Sequence, residues 1–264
     1  MKKHYRGKVA VVTGAASGIG RALSSQLAEH GARVWMTDID VPLLERSAAA
    51  IAGDVHTRRL DVTDAEDFAG VLDELWEQEG GVDLLFNNAG IAVIGHYHQM
   101  SLKDLNRLID VNLRGVMHGV QAVYPKMMAR RAGHIVNTSS VSGSIAAPGF
   151  TMYSATKHAV VGLTRGLRIE AKSHNVKVSC FCPGFIDTEL AHNADYRGID
   201  GDKMRAQSPI KFATPESCAA EALRGVAKNE GEIVVTRHAK GMVALQKFAP
   251  WILSSLAGQG LRRS

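Results

Sequence analysis

The chain has 264 residues, 45% of them apolar and 22% charged, which fits one large domain or two small ones and argues against disorder. A net charge of +5 permits contact with anions, but no aromatic-basic cluster accompanies it, so nucleic acid is not an expected partner. Three cysteines (Cys180, Cys182, Cys218) exclude a disulfide scaffold, and Cys180-Phe181-Cys182 is not a zinc spacing, so the expectation is a cytoplasmic protein with no metal.

Met1-Lys2-Lys3 followed by Val9-Ala10-Val11-Val12 resembles a signal peptide only superficially. The apolar run is too short and leads into Thr13-Gly14 rather than a cleavage site, so it reads as a strand. Strands are predicted over 8–13, 32–37, 55–60, 82–86, 134–138, 176–181 and 232–236. Several are nearly continuous apolar runs, as expected for strands covered on both faces. Helices are predicted over 19–30, 41–52, 64–79, 101–130, 153–173 and 215–229. Thr63-Asp64 and Ser101 read as N-caps, Gly31 and Gly133 as helix stops. This alternation implies an α/β protein with a parallel sheet and right-handed crossovers. Between the doubly wound sheet and the eight-stranded barrel, about seven strands and a glycine-rich first turn favour the doubly wound sheet, in a single domain. Residues 185–213 and 237–264 break the alternation; the latter hold five basic residues and no acidic one.

Thr13-Gly14-Ala15-Ala16-Ser17-Gly18-Ile19-Gly20 joins the first strand to the first helix. Glycine lets a ligand approach the backbone, and the helix N-terminus offers free N–H groups to a pyrophosphate. The spacing G-x-x-x-G-x-G differs from the common G-x-G-x-x-G, and a tight strand-to-helix turn alone also accounts for it. Asp38 adds context: at the end of the second strand, its carboxylate can accept both hydroxyls of an adenosine ribose and repel a 2′-phosphate. No basic residue stands at Ser17 or directly after Asp38, which favours NAD over NADP.

Tyr153 and Lys157 are four apart and share one helix face. A phenol titrates near 10, and a nearby ammonium lowers that by roughly 1–3 units, so the pair suits an alcohol/carbonyl couple. A surface pair would read the same. Ser140 ends the fifth predicted strand, where ligands of open α/β sheets bind.

With these motifs the sequence resembles the short-chain dehydrogenase/reductase family, a Rossmann-type fold. The resemblance runs from about residue 7 to about residue 190, with its framework continuing to about 236. It rests on Thr13-Gly14-x-x-x-Gly18-Ile19-Gly20, Asp61-Val62, Asn87-Asn88-Ala89-Gly90, Asn112, Ser140, Tyr153-x-x-x-Lys157 and Pro183-Gly184-x-x-x-Thr188, in family order. It implies that Tyr153 is the acid/base, that Lys157 lowers its pKa and binds the nicotinamide ribose, and that Ser140, rather than Ser139, contacts the substrate oxygen. Asn112 would position a relay water. Asp61, Val62 and Val111 would flank the adenine, and Asn88, Ala89 and Gly90 line the cofactor cleft, Asn88 serving equally to brace the sheet. Pro183, Gly184, Ile186 and Thr188 would hold the nicotinamide end.

The activity so implied is an NAD-dependent exchange of a secondary alcohol and a ketone; an NAD(P)H-dependent carbonyl or 3-oxoacyl reductase and a non-catalytic NAD-binding regulator are the alternatives. The presumed substrate walls (91–94, 142–150 and 185–213) include Ile94, Ile145, Phe150, Phe185 and Leu190, which favours an apolar, steroid-like or long-chain substrate. Gly198 and Gly201 suggest a mobile lid, and His96 and His98 read at best as minor substrate contacts. The domain is expected to end near 236. In the extension 237–264, Met242, Val243, Leu245, Phe248, Trp251, Ile252, Leu253 and Leu256 lie among Lys240, Lys247, Arg262 and Arg263. It reads as a packed tail, a cap over the substrate site, or a peripheral membrane contact. A homodimer or homotetramer is expected through the 101–130 and 153–173 helices, whose apolar positions, including Val116, Val120, Val123, Val160, Val161 and Leu163, are numerous enough to cover a partner as well as the sheet.

Overall fold

A computed structural model describes residues 1–206 and 210–251. Ile252, Leu253, Leu256, Arg262 and Arg263 therefore lie outside the described residues. The strands are β1 (Val9–Thr13), β2 (Arg33–Asp38), β3 (Val55–Arg59), β4 (Leu84–Asn87), β5 (Val93–Gly95), β6 (His134–Thr138), β7 (Lys177–Pro183), β8 (Asp195–Arg197) and β9 (Glu232–Val235). Seven form one sheet in the order β3-β2-β1-β4-β6-β7-β9, every pair parallel. The order reverses between β1 and β4, and the crevice beyond their carboxyl ends is where such sheets bind ligands.

β1 explains why the strands read as unbroken apolar runs. Val9 and Val11 point to one face, where they pack with Phe68, Leu72, Leu85, Val123 and Ile135. Ala10 and Val12 point to the other, where they meet Leu23, Leu27, Met36, Phe86 and Leu223. Helices cover both faces, so alternation along the strand selects a partner layer rather than solvent. The first layer carries Ala65–Glu79, Gly115–Arg130 and Thr151–Ala171; the second carries Gly18–Glu29, Val41–Ala49 and Pro215–Ala227.

The capping residues act as their chemistry suggests. The Asp64 carboxylate accepts the amides of Glu66 and Asp67, and Ser101 and Asp104 form a reciprocal capping box. Two expectations need correction. Gly133 is not the stop of its helix: Arg131 takes the left-handed turn, with φ 52°. The single helix over 101–130 is instead Leu102–Ile109 and Gly115–Arg130 joined by a π-turn at Asp110–Arg114, which carries Asn112. Such bulges recur at functional sites because they re-aim a side chain without breaking the helix.

The aperiodic 185–213 segment has structure of its own. β8 pairs with β5 in a small parallel sheet, and Ile186 bridges Ala213. The Arg197 guanidinium donates to both Asp104 oxygens at 3.1 and 2.7 Å, and Arg107 reaches Asp195 at 2.6 Å. The β8 part of the segment is thus clasped to the Leu102–Ile109 helix. The Arg237–Phe248 helix packs back on the body: Met242, Val243 and buried Ala239 meet Val141, Ile145 and Val234, and Lys240 pairs with Glu221. No helix among the described residues is long and apolar enough to cross a membrane.

Candidate active site

One cavity of about 510 Å³ runs from the first turn, past the carboxyl ends of β4 and β6, to the clasped segment. Gly14, Ser17, Gly18, Ile19, Gly20 and Asp38 line one end. Gly14 has φ 64°, and a Cβ there would stand 2.7 Å from the Ala89 Cα, so only glycine fits where the two loops meet. Ser17 precedes the Gly18–Glu29 helix without a side-chain cap, which leaves first-turn N–H groups open to the cleft. Asp38 is held rigidly at the rim by the Ala16 and Asp40 amides, each donating at 3.1 Å. A turn of open N–H donors with a fixed carboxylate acceptor one strand away is the set that an adenosine diphosphate needs, so the residues present fit a dinucleotide.

Thr13 organises the next loop. Its hydroxyl accepts the amides of Asn88 and Ala89, each at 3.0 Å. The Asn88 amide in turn donates to the Thr13 and Gly14 carbonyls at 3.0 and 3.3 Å. Asn88 thus ties the two loops together while also lining the cavity beside Ala89 and Gly90. A Cβ on Gly90 would sit 3.2 Å from Asn112 Oδ1 and 3.5 Å from Lys157 Nζ, which shows how closely the three residues gather.

At the end of β6 the residues meant for chemistry converge. Ser140, Tyr153 and Lys157 all line the cavity. The Ser140 hydroxyl accepts the Ser142 amide at 3.1 Å, and it lies near enough to the Tyr153 phenol to lower its pKa. Ser139 donates to the Lys157 carbonyl at 2.8 Å, which turns its hydroxyl away from the phenol. Lys157 is buried; Nζ donates to the Thr138 carbonyl at 3.1 Å and lies 5.7 Å from the Tyr153 ring centre. Burial depresses the ammonium to about 8. The phenol departs from expectation: burial pushes its pKa up, nearby Ser140 opposes this, and Lys157 contributes no lowering. The ammonium lies over the ring and is bonded elsewhere, and desolvation of the half-buried phenol prevails.

Four predicted residues do not line the cavity. Asn112 is fully buried behind it: its amide donates to the Ile91 carbonyl and its Oδ1 accepts the Ile91 amide, at 3.0 and 2.9 Å. The Asp61 carboxylate folds back onto the Thr63 amide and hydroxyl. Val62 packs toward Gly115, and Val111 is half-buried in the π-turn. His96 and His98 stack on one another, 5.8 Å between ring centres, and do not line the cavity either.

The far end is largely apolar: Ile94, Phe150, Phe185 and Leu190 line it as expected, with Tyr196, Met204, Phe212 and Met242 added, while Arg107, Glu189, Asn193 and Asp195 also line the cavity. Pro183, Gly184, Ile186 and Thr188 form the wall between this chamber and the first turn. Tyr196 enters on a three-residue strand too short to show a period, and Met242 arrives from the C-terminal helix. The cap reading of the tail therefore has a residue in the cavity wall.

These features are those of a nicotinamide-dependent oxidoreductase fold, and the chain belongs to the short-chain dehydrogenase family, whose model ("short chain dehydrogenase") matches residues 8–197. Putative oxidoreductase SadH of Mycobacterium tuberculosis is 38% identical over 98% of this chain and 97% of its own length. The 3-oxoacyl-[acyl-carrier-protein] reductase FabG of Thermotoga maritima is 35% identical over 86% and 93%. A short-chain dehydrogenase/reductase from Burkholderia phymatum, solved in complex with NAD, superposes with a TM-score of 0.85 at 29% identity, covering 95% and 96% of the two chains.

Proposed function

We propose that the protein interconverts an apolar secondary alcohol and its ketone, using NAD. The observation that carries this reading is the convergence of Ser140, Tyr153 and Lys157 between an anion-accepting turn and an apolar chamber. The bound cofactor supplies hydride transfer at its nicotinamide ring. Gly14 to Gly20 would hold its pyrophosphate, Asp38 its adenosine ribose, and Pro183 to Thr188 its nicotinamide end. Ser140 donates a hydrogen bond to the substrate oxygen, which stabilises negative charge developing there. The Tyr153 phenol holds the proton exchanged with that oxygen, and the Lys157 ammonium, 5.7 Å from the phenol ring centre, would bind the nicotinamide ribose. Asn112 fixes the Ile91 backbone behind the reacting group rather than touching the substrate itself.

NAD preference rests on the Asp38 carboxylate in the cavity lining, which would repel a 2′-phosphate on the adenosine ribose. The apolar substrate class rests on Phe150, Phe185, Phe212 and Met242. The 35% identity to a 3-oxoacyl reductase favours thioester reduction as a second reading. The test is a turnover screen with NAD and NADP over steroid, long-chain and small polyol alcohols, and with reduced cofactors over ketones and 3-oxoacyl thioesters. Turnover confined to polyols would refute the apolar reading; cofactor binding without any turnover would point to a regulator.

A further inference from the structure

The turn after β7 forms the nicotinamide-side wall, and its backbone is tied from several sides. Gly184 donates to the Val235 carbonyl at 3.2 Å, and Ala213 donates to the Phe185 carbonyl at 3.0 Å. The acceptor for the Phe185 amide is a side chain, His238 Nε2, at 3.1 Å. That nitrogen also lies 3.0 Å from Thr236 Oγ1. The His238 ring is 5.7 Å from the Phe185 ring, which meets Phe212 edge-on at 5.7 Å. A Cβ on Gly184 would fall 2.6 Å from His238 Nε2, so the imidazole lies directly under the turn.

The backbone that delivers His238 is strained. Thr236 has φ 83° and ψ 143°, a region that a β-branched residue rarely enters. The bend lets the chain pass from β9 into the Arg237–Phe248 helix at a single residue. It is held by the Thr236 amide on Glu221, at 3.3 Å, and by the Thr236 hydroxyl on the Ala239 amide, at 3.4 Å.

We propose that His238 is a positioning residue that locks the Pro183–Gly184–Phe185 turn only while its imidazole is neutral. This rests on the oxidoreductase reading of the cleft. Nε2 has one lone pair, so it accepts the Phe185 N–H only with its proton on Nδ1. Protonation of Nε2 sets two donors against each other and releases the turn. Burial holds the His238 pKa below the ordinary histidine value of 6.5. Charges on the elements around it are Glu221 with its partner Lys240, Arg237 on its own helix, Glu232 of β9 paired with Arg165, and Asp187 beyond the turn, bonded to His192 at 2.6 Å. None of these contributes to the shift; desolvation is its cause. Cofactor binding should therefore weaken as pH falls through the His238 pKa and be fully present above it.

The test is NADH binding by fluorescence, from about pH 7.5 down to about pH 5, on the full chain and on His238→Gln and His238→Ala, together with kcat/KM for ketone reduction. Losing one such hydrogen bond predicts that wild-type affinity drops about fivefold toward the acid end, with a midpoint below 6.5. His238→Gln keeps a neutral acceptor, so its affinity at pH 7.5 should stay within about twofold of wild type, with the acid limb flattened. His238→Ala should bind weakly at every pH. An acid limb of unchanged size in His238→Gln overturns the proposal. So does wild-type affinity in His238→Ala at pH 7.5. A wild type that binds no nicotinamide cofactor at any pH refutes the oxidoreductase reading itself.

Discussion

Replacing Lys157 with Met should destroy turnover and yet make the free protein more stable. The ammonium is buried, its one hydrogen bond is to the Thr138 carbonyl, and its pKa falls from 10.5 to about 8. At roughly 1.4 kcal/mol per pKa unit, keeping the group charged in the fold at pH 7 costs about 3 kcal/mol. Losing its hydrogen bond gives back about 1 kcal/mol, and Met fills a similar volume, so the net gain is about 2 kcal/mol. Because the folded pKa is depressed, the cost is fully present below pH 8 and fades as pH rises toward 10.5, where the unfolded chain also loses the proton. Urea unfolding of Lys157→Met and wild type at pH 7 and at about pH 10 measures this. The variant should lead at pH 7 by about 2 kcal/mol, and the gap should close at the higher pH. A variant less stable at pH 7, or a gap independent of pH, would refute the idea that burial of this charge governs the site.

Asp38→Ala combined with Ile39→Arg should move kcat/KM from NAD toward NADP by roughly ten- to a hundredfold, since charge-assisted hydrogen bonds to the ribose are lost and a cation is gained; equal use of both cofactors by the wild type would contradict the premise. Asp104→Asn leaves Arg197 without its carboxylate, so the clasped segment should loosen, with substrate KM raised and residues 198–213 cut faster by protease, at a stability cost of about 1–3 kcal/mol. Arg197 and Ser101 hold the Asp104 carboxyl well below the usual range, so this clasp should persist until strong acid, and a loss already complete at pH 5 would refute it. Leu102, Met117 and Ile169 are exposed on the helices expected to pair, and sedimentation should show a dimer or tetramer; a lone monomer at micromolar concentration would contradict this.

The sheet and both helix layers were legible because buried parallel strands and capped amphipathic helices leave strong local signals. The cofactor turn and the Ser140–Tyr153–Lys157 set were legible because they sit at fixed spacings beside strand ends. Four things were not. The apolar positions of the two long helices read as covering the sheet and a partner alike; Val116, Val123, Val160 and Val161 lie in the subunit's own interior, and a helix period does not say which neighbour covers a face. The π-turn at Asn112 has no sequence signature, and the β5–β8 clasp joins two three-residue strands about a hundred residues apart. The raised Tyr153 pKa depends on where the Lys157 ammonium lies and how dry the cleft is, which the four-residue spacing cannot express.

The most direct measurement pairs turnover with cofactor binding in Tyr153→Phe, using an alcohol that the wild type oxidises. Only the phenol oxygen is removed, from a residue at the helix start beside Ser140, so NAD affinity should stay within about twofold. Turnover should fall by roughly 10²–10⁴-fold, the usual contribution of a positioned acid/base. A Tyr153→Phe enzyme that binds NAD normally and keeps most of its turnover would contradict the proton-transfer role at the centre of the proposed function.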